Sequence, residues 1–168
     1  MQWGTVLFIV FCVDERRELL RHTLATLAYR AARALGGAPD GFAEFDGVGR
    51  RPVEILAHMG DLFDWALSMA EGKRQWHNSN PLPWVEEERR FFAALRAFDD
   101  YLASAKPLHA PIEGLFQGPV ADALTHVGQL ALLRRLSGSP IIGESFFDAA
   151  IKIGQTGADQ PAAVTPFK

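Results

Sequence analysis

Apolar residues recur at helical spacing in four stretches of the chain. These stretches run from Asp14 to Leu35, from Pro52 to Glu71, from Pro83 to Ser104 and from Pro119 to Ser137. In the first three, apolar side chains fall on one face and polar side chains on the other, which is typical of a helix that buries one side. The fourth stretch is apolar on two sides. The pattern predicts four helices that share one core.

Residues that start or stop helices bracket these stretches. Asp14 suits an N-cap, and Pro52 and Pro119 suit the first position of a helix. Gly72 and Gly138 suit the residue just past a helix end. The expected boundaries therefore agree with the apolar periodicity.

The four helical stretches and the segments between them together predict an all-α four-helix bundle with long connecting loops. No segment alternates in the manner of a strand, and the connections near 36–51, 72–82 and 105–118 are long for a minimal bundle. We expect one domain over 14–153, with a shorter helical piece from Glu144 to Ile153. The apolar segment 1–13 either packs on the bundle or is an extension outside the domain. The tail 154–168 is expected to be loosely held.

Composition excludes several classes of protein. The chain has 168 residues and a formal net charge of −3, which disfavours nucleic-acid binding. Its apolar run near the start is too short to span a membrane, and it lacks the features of a signal peptide. Cys12 is the one cysteine, so no intramolecular disulfide can form and a cytoplasmic location is expected.

The fourth stretch carries the first candidate chemistry. At about 100° per residue, Asp122, His126 and Gln129 fall in one narrow sector. Arg134 and Arg135 lie roughly opposite, so if they face water this sector faces the interior. Asp122 and His126 are four residues apart and can reach one ion.

The second stretch adds His58 at the edge of its apolar face, with Asp61 placed to orient the imidazole or to add a ligand. His58 and His126 reach the same depth, roughly 10 Å into their helices, if the two helices are parallel, as in an up-down-up-down bundle. Antiparallel helices would need an axial offset. Two histidines and one carboxylate suit zinc, iron, nickel or manganese. The alternative is a core His58 beside an ordinary Asp122–His126 ion pair.

Two segments resemble the DinB-like (damage-inducible protein) superfamily. They are Leu56-Ala-His-Met-Gly-Asp-Leu62 and Thr125-His-Val-Gly-Gln-Leu-Ala-Leu-Leu-Arg-Arg-Leu-Ser-Gly-Ser-Pro140. The resemblance implies a dimer-prone helical bundle with a metal held by three histidines. His58 and His126 match two of these histidines, and Asp122 stands where the third is expected.

The resemblance also implies a function. Family members are metal-dependent hydrolases and transferases of small thiols, so a small-molecule substrate and a homodimer are expected. Here His58, Asp122 and His126 would bind the metal, and Asp61 or Gln129 would support the ligands or act in acid–base catalysis. We also expect Trp65 to line the pocket.

Two other functions remain open at this stage. The first is a non-catalytic, stress-related dimer with a degenerate metal site. This alternative is suggested by a second apolar stripe on the fourth helix, formed by Val120, Leu124, Val127 and Ala131. The second is a haem or flavin protein. Flavin is disfavoured because no phosphate-binding glycine loop follows a strand, whereas haem bound by His58 or His126 stays open.

Overall fold

The computed structural model describes residues 14–47 and 49–167, and within them the fold is all-helical. The α-helices are α1 (Glu15–Leu35), α2 (Pro52–Ala70), α3 (Trp84–Ala103), α4 (Ile112–Leu115) and α5 (Ala121–Leu136). The predicted bounds of the first three are confirmed to within one residue. The segment 1–13, with Cys12, lies outside the described residues.

Hydrogen bonds at the first turns explain where α1 and α2 begin. The Asp14 carboxylate accepts from the backbone N–H of Arg16 at 3.1 Å, as an N-cap does. Before α2, the carboxylate of Glu54 accepts from the backbone N–H of Arg51 at 2.8 Å. Pro52 follows at the first helical position, where its missing N–H costs nothing.

Contacts between α1 and its neighbours fix their relative directions. The Arg21 guanidinium lies 2.9 Å from the Asp99 carboxylate, and Arg17 donates to the Ser104 carbonyl, so α1 and α3 are antiparallel. Near the other end of α1, Arg134 of α5 donates to the Ala34 carbonyl at 3.0 Å. The late part of α1 therefore meets the late part of α5, and these two helices are parallel.

Contacts of α2 complete the topology. Arg90 near the start of α3 pairs with Asp61, and the Tyr101 hydroxyl near its end donates to the Ala70 carbonyl, so α2 and α3 are parallel. The four long helices thus run up, down, down and up. The sequence left open whether the second and fourth long helices are parallel, as in an up-down-up-down bundle, or antiparallel. They are antiparallel, because the chain returns along the bundle between α2 and α3.

The connection 71–83 is this return crossover. It begins at the end of α2 and must reach the start of α3, which lies beside the start of α2. A helix of 19 residues is about 28 Å long, a distance that 13 extended residues can span. The Ser79 backbone N–H and hydroxyl both donate to the Asp61 carboxylate, at 2.9 and 2.7 Å. The crossover is therefore attached along the side of α2.

The core lies between the four long helices. Aromatic rings fill its centre, where Phe63 of α2 packs edge-on against Phe91 and tilted against Phe98 of α3. All three rings are fully buried. Burial of each such side chain contributes roughly 1.5–3 kcal/mol to folding, so this contact is a main support of the α2–α3 pair.

The fourth helical stretch begins earlier than predicted. Helix α4 starts at Ile112, and a π-helical turn over Phe116–Val120 joins it to α5, so the second half of the expected loop 105–118 is helical. Pro119 lies inside this turn rather than at a helix start. Because proline lacks an N–H and its ring crowds the preceding turn, a widened turn allows the helix to continue past it.

The orientation of α5 also differs from expectation. Arg134 does not face water: it is 6% exposed and donates to the carbonyls of Ala34, Gly36 and Gly37. These include carbonyls that the end of α1 leaves without helical partners. Val120 and Val127 of the second apolar stripe are buried in the chain's own core. Leu124 and Ala131 of the same stripe are half-buried, and Leu124 packs against this core.

Residues 144–153 do not form the expected helix. Glu144 is buried and accepts from the Tyr29 hydroxyl at 2.7 Å and from Arg33 at 2.9 Å, and its backbone bridges to Pro166. These contacts hold the segment against α1, and its backbone turns at 146–147 and bends at 148. Further on, Arg33 donates to the Pro161 carbonyl, which places part of the tail against the same helix. No helix among the described residues has an apolar stretch long enough to cross a membrane.

Candidate metal centre

The three residues predicted as metal ligands meet between α2 and α5. Nε2 of His58 lies 3.4 Å from Oδ2 of Asp122, and Nε2 of His126 lies 3.4 Å from Oδ1 of the same carboxylate. One ligand atom from each residue lies within 4.8 Å of the others. The described residues therefore contain a group of two imidazoles and one carboxylate that could hold a metal ion.

The helices that meet here are antiparallel, which is the arrangement that requires an axial offset. Gly118 lies against Trp65, and the His109 N–H donates to the Ala70 carbonyl, so the chain before α5 runs alongside the end of α2. The early helical start at Ile112 supplies the axial offset. As a result His58, in the second turn of α2, faces Asp122 and His126.

The distances between the three residues are compatible with a shared cation. A charged imidazole–carboxylate hydrogen bond is about 2.7–2.9 Å long. Two ligands that each bind a tetrahedral ion at about 2.0–2.1 Å are about 3.3–3.4 Å apart. Both histidine–aspartate distances are 3.4 Å. They run to the two different oxygens of the carboxylate, so Asp122 contacts both imidazoles, either directly or through an ion.

Gln129 fixes the ring of His126. Its side-chain oxygen lies 2.8 Å from Nδ1 of His126, and because an amide oxygen can only accept, Nδ1 carries the proton. The lone pair of His126 then lies on Nε2, the atom that faces Asp122. This is the polar support that metal-binding histidines commonly have.

Burial favours the neutral form of the His58 imidazole. Burial lowers the pKa of His58, and the nearby His126 and Arg50 add to this effect, although the Asp122 carboxylate opposes it. The side chain of Asp122 is 46% exposed, whereas that of His126 is 11% exposed. The group thus has a buried imidazole side and an open carboxylate side.

Aromatic residues cover the His58 side. The Trp76 ring packs edge-on against His58 with centroids 5.7 Å apart, and Trp65 packs edge-on against Trp76 at 5.6 Å. The sequence predicted Trp65 as a pocket residue but did not single out Trp76. Trp76 lies in the crossover, and the up-down-down-up topology that brings it to the site was not predicted.

Asp61 does not join the three ligands. It is 3% exposed, and its oxygens accept from Ser79 and from the guanidinium of Arg90 at 3.1 Å. His77 of the crossover lies 3.2 Å from the same carboxylate. Asp61, Asp64 and His77 form a second close group, but Arg90 already places a cation between the two carboxylates.

Open cavities surround the three ligands. One of about 280 Å³ is lined by His58, Ala57 and Arg50, and one of about 490 Å³ by His126, Gln129 and Arg50. A third of about 440 Å³ reaches Asp122. A small molecule could therefore approach the open side of the group.

Comparison of the chain with protein-family models, with curated proteins and with solved structures finds no match in any of the three.

Proposed function

We propose that the chain is a metal-dependent enzyme of the DinB-like type, a hydrolase or a transferase of small thiols. His58, Asp122 and His126 would hold one divalent ion of zinc, nickel, iron or manganese. The observation that carries the proposal is the pair of 3.4 Å distances between the Asp122 oxygens and the two Nε2 atoms. The resemblance of the two histidine segments supplies the reaction type.

The group of ligands suits catalysis better than a structural site. Three protein ligands leave positions for water or substrate, whereas structural zinc sites use four. An ion bound here would lower the pKa of a bound water or thiol and polarise a carbonyl. The half-exposed Asp122 and the adjoining cavities leave the open side accessible.

The other residues near the site have positioning roles in this proposal. Gln129 cannot exchange a proton at neutral pH, but it fixes the tautomer of His126. Asp61 holds the crossover through Ser79 and Arg90, and the crossover in turn places Trp76 against His58. Asp61 would therefore affect the site indirectly, by holding the crossover that places Trp76 against His58.

The non-catalytic dimer is less well supported. This alternative was suggested by the second apolar stripe of α5. Two residues of that stripe, Val120 and Val127, are already buried in the core of the same chain. We therefore give the enzyme priority and treat the homodimer as a separate expectation.

Elemental analysis of the purified protein tests the metal proposal. The parent chain should hold close to one equivalent of metal after incubation with zinc, nickel, manganese and iron, and the His58→Ala and Asp122→Ala variants should lose it. His22→Ala is the matched control, because His22 is exposed on α1 and outside the group. A parent without metal, or a His58→Ala variant that keeps a full equivalent, would refute the site.

Activity is tested next. The loaded protein is screened against thiol-transfer and ester substrates, with His126→Ala beside it. Turnover of a confirmed substrate that survives in His126→Ala would overturn the enzymatic proposal even if metal is present.

A further inference from the structure

Arg50 stands where two cavities meet beside the candidate metal centre. It lines the cavity that contains His58 and also the cavity that contains His126 and Gln129. Its charge is close enough to His58 to act on that imidazole. A ligand in either cavity would therefore meet this guanidinium.

Among the described residues, Arg50 makes no ion pair, although its charge acts on Glu54, which lines the first cavity beside it. The two nearby glutamates are used by its neighbour, since Glu44 and Glu54 both pair with Arg51. The backbone N–H of Arg51 also engages Glu54. The Arg50 guanidinium is therefore exposed and not hydrogen-bonded to a carboxylate, and its planar donors are suited to an external anion.

The wall next to Arg50 is apolar. Along α5 the cavity continues from His126 past Gln129 to Leu132 and Leu136, which are 52% and 55% exposed. These two leucines are four residues apart, so they lie on the same helix face. Ile55 of α2 adds a buried apolar contact on the opposite side. Such a surface favours an aliphatic group over a polar one.

We propose that this cavity binds the aliphatic part of a small carboxylic acid, with Arg50 on the carboxylate and Leu132 and Leu136 on the hydrocarbon chain. The inference rests on the proposed function for its biological meaning, since it names the class of substrate presented to the metal. The binding itself depends only on Arg50 and the leucines. It can therefore be measured on protein without metal.

The test is a titration of metal-free protein with octanoate, followed by two-dimensional amide NMR at pH 7.5. Saturable shifts should appear at residues around Leu132 and Leu136, and Arg50→Gln should weaken binding by about tenfold, the loss expected for one charge-assisted hydrogen bond. Octanamide, which keeps the chain but lacks the charge, should bind the parent as weakly as octanoate binds Arg50→Gln.

Matched variants distinguish binding in this cavity from nonspecific hydrophobic binding. Arg89→Gln removes an exposed arginine of α3 and should leave octanoate binding unchanged, as should Leu19→Asn on α1. Leu132→Asn should weaken binding. Equal affinity for octanoate in the parent and in Arg50→Gln, or no saturable binding in the parent, would overturn the proposal.

A further variant shows whether octanoate binding depends on the metal ligands. His58→Ala without metal should bind octanoate as the metal-free parent does. If the parent holds no metal but binds octanoate through Arg50, the proposed enzyme fails and this inference stands. If the parent holds metal but does not bind octanoate, this inference fails and the proposed metal site stands.

Discussion

The carboxylate of Asp122 lies at the same distance, 3.4 Å, from Nε2 of His58 on the opposite helix and from Nε2 of His126 one turn along its own helix. It therefore bridges the two imidazoles, and its half-exposed position makes it the ligand nearest to solvent. Asp122 is consequently the residue on which the properties of the candidate site depend most.

Replacing Asp122 by Asn should weaken metal binding by at least about 100-fold, because a neutral amide is a poor ligand and the anionic charge is lost. Asp122→His should bind zinc again, since it recreates the three-histidine set that the resemblance implies. Competition against a chromophoric chelator measures both affinities. Asp100→Asn, an exposed change on α3, is the control, and equal affinity of parent and Asp122→Asn would contradict the assignment.

Gln129→Ala should reduce metal affinity by about 10–100-fold without abolishing binding. The ring of His126 loses the acceptor that fixes its tautomer, and supporting groups of this kind contribute about that much. Gln129→Glu should keep or raise the affinity because it retains an acceptor oxygen. Isothermal calorimetry with zinc measures the change. Identical binding by parent and Gln129→Ala would show that the hydrogen bond has no role.

The folding stability of the metal-free protein should fall in acid. Burial lowers the pKa of His58 below its usual value near 6.5, so its Nε2 stays unprotonated down to lower pH than that of a free histidine. The unfolded chain then binds more protons than the folded one as the pH falls below about 6.5, and folding stability decreases in that window. Urea unfolding of metal-free protein from pH 7.5 to 5 should show this slope. The slope should shrink in His58→Ala, and an unchanged slope would contradict the cause given.

Arg134→Met should destabilise the fold by about 2–4 kcal/mol, because three carbonyls at the end of α1 lose their buried donor. Arg134→Lys should rescue little of this loss, since an ammonium group cannot place donors in the same fork. Chemical denaturation gives the free energies of unfolding. Arg135→Met, a change to the adjacent exposed arginine, should stay within about 0.5 kcal/mol of the parent.

Asp61→Asn should cost about 3 kcal/mol of stability, as expected when a buried ion pair loses one partner. It should leave nearly one equivalent of metal bound, because Asp61 is not among the three ligands. Denaturation and elemental analysis on the same sample separate the two effects. Loss of metal from a variant that is still folded would show that Asp61 is a ligand after all.

The sequence predicted the first three long helices well because each is determined by local rules. Asp14 and Pro52 mark starts that agree with the apolar periodicity, and no distant contact is needed to place them. The start of the fourth helix was missed because a proline normally marks a first turn. Pro119 instead lies in a π-helical turn that depends on its neighbours.

The candidate ligands were predicted, whereas their surroundings were not. Spacing within a helix places Asp122 and His126 together, and the resemblance adds His58. The direction of α2 relative to α5, however, depends on the path of the crossover, and that path brings Trp76 to the site. The assumption that Arg134 faces water failed because a long cationic side chain can be buried where carbonyls lack partners.

The separation of the ligands along the chain has a consequence for the lifetime of the protein. His58 and Asp122 are 64 residues apart, and the loop between them contains the crossover and the whole of α3. An ion held by both would close this loop as a reversible crosslink, present in the folded chain and lost on unfolding. At a free metal concentration of 100 times Kd, such linkage adds about 2.7 kcal/mol to stability. The resistance of the protein to unfolding and proteolysis would then rise and fall with the supply of metal.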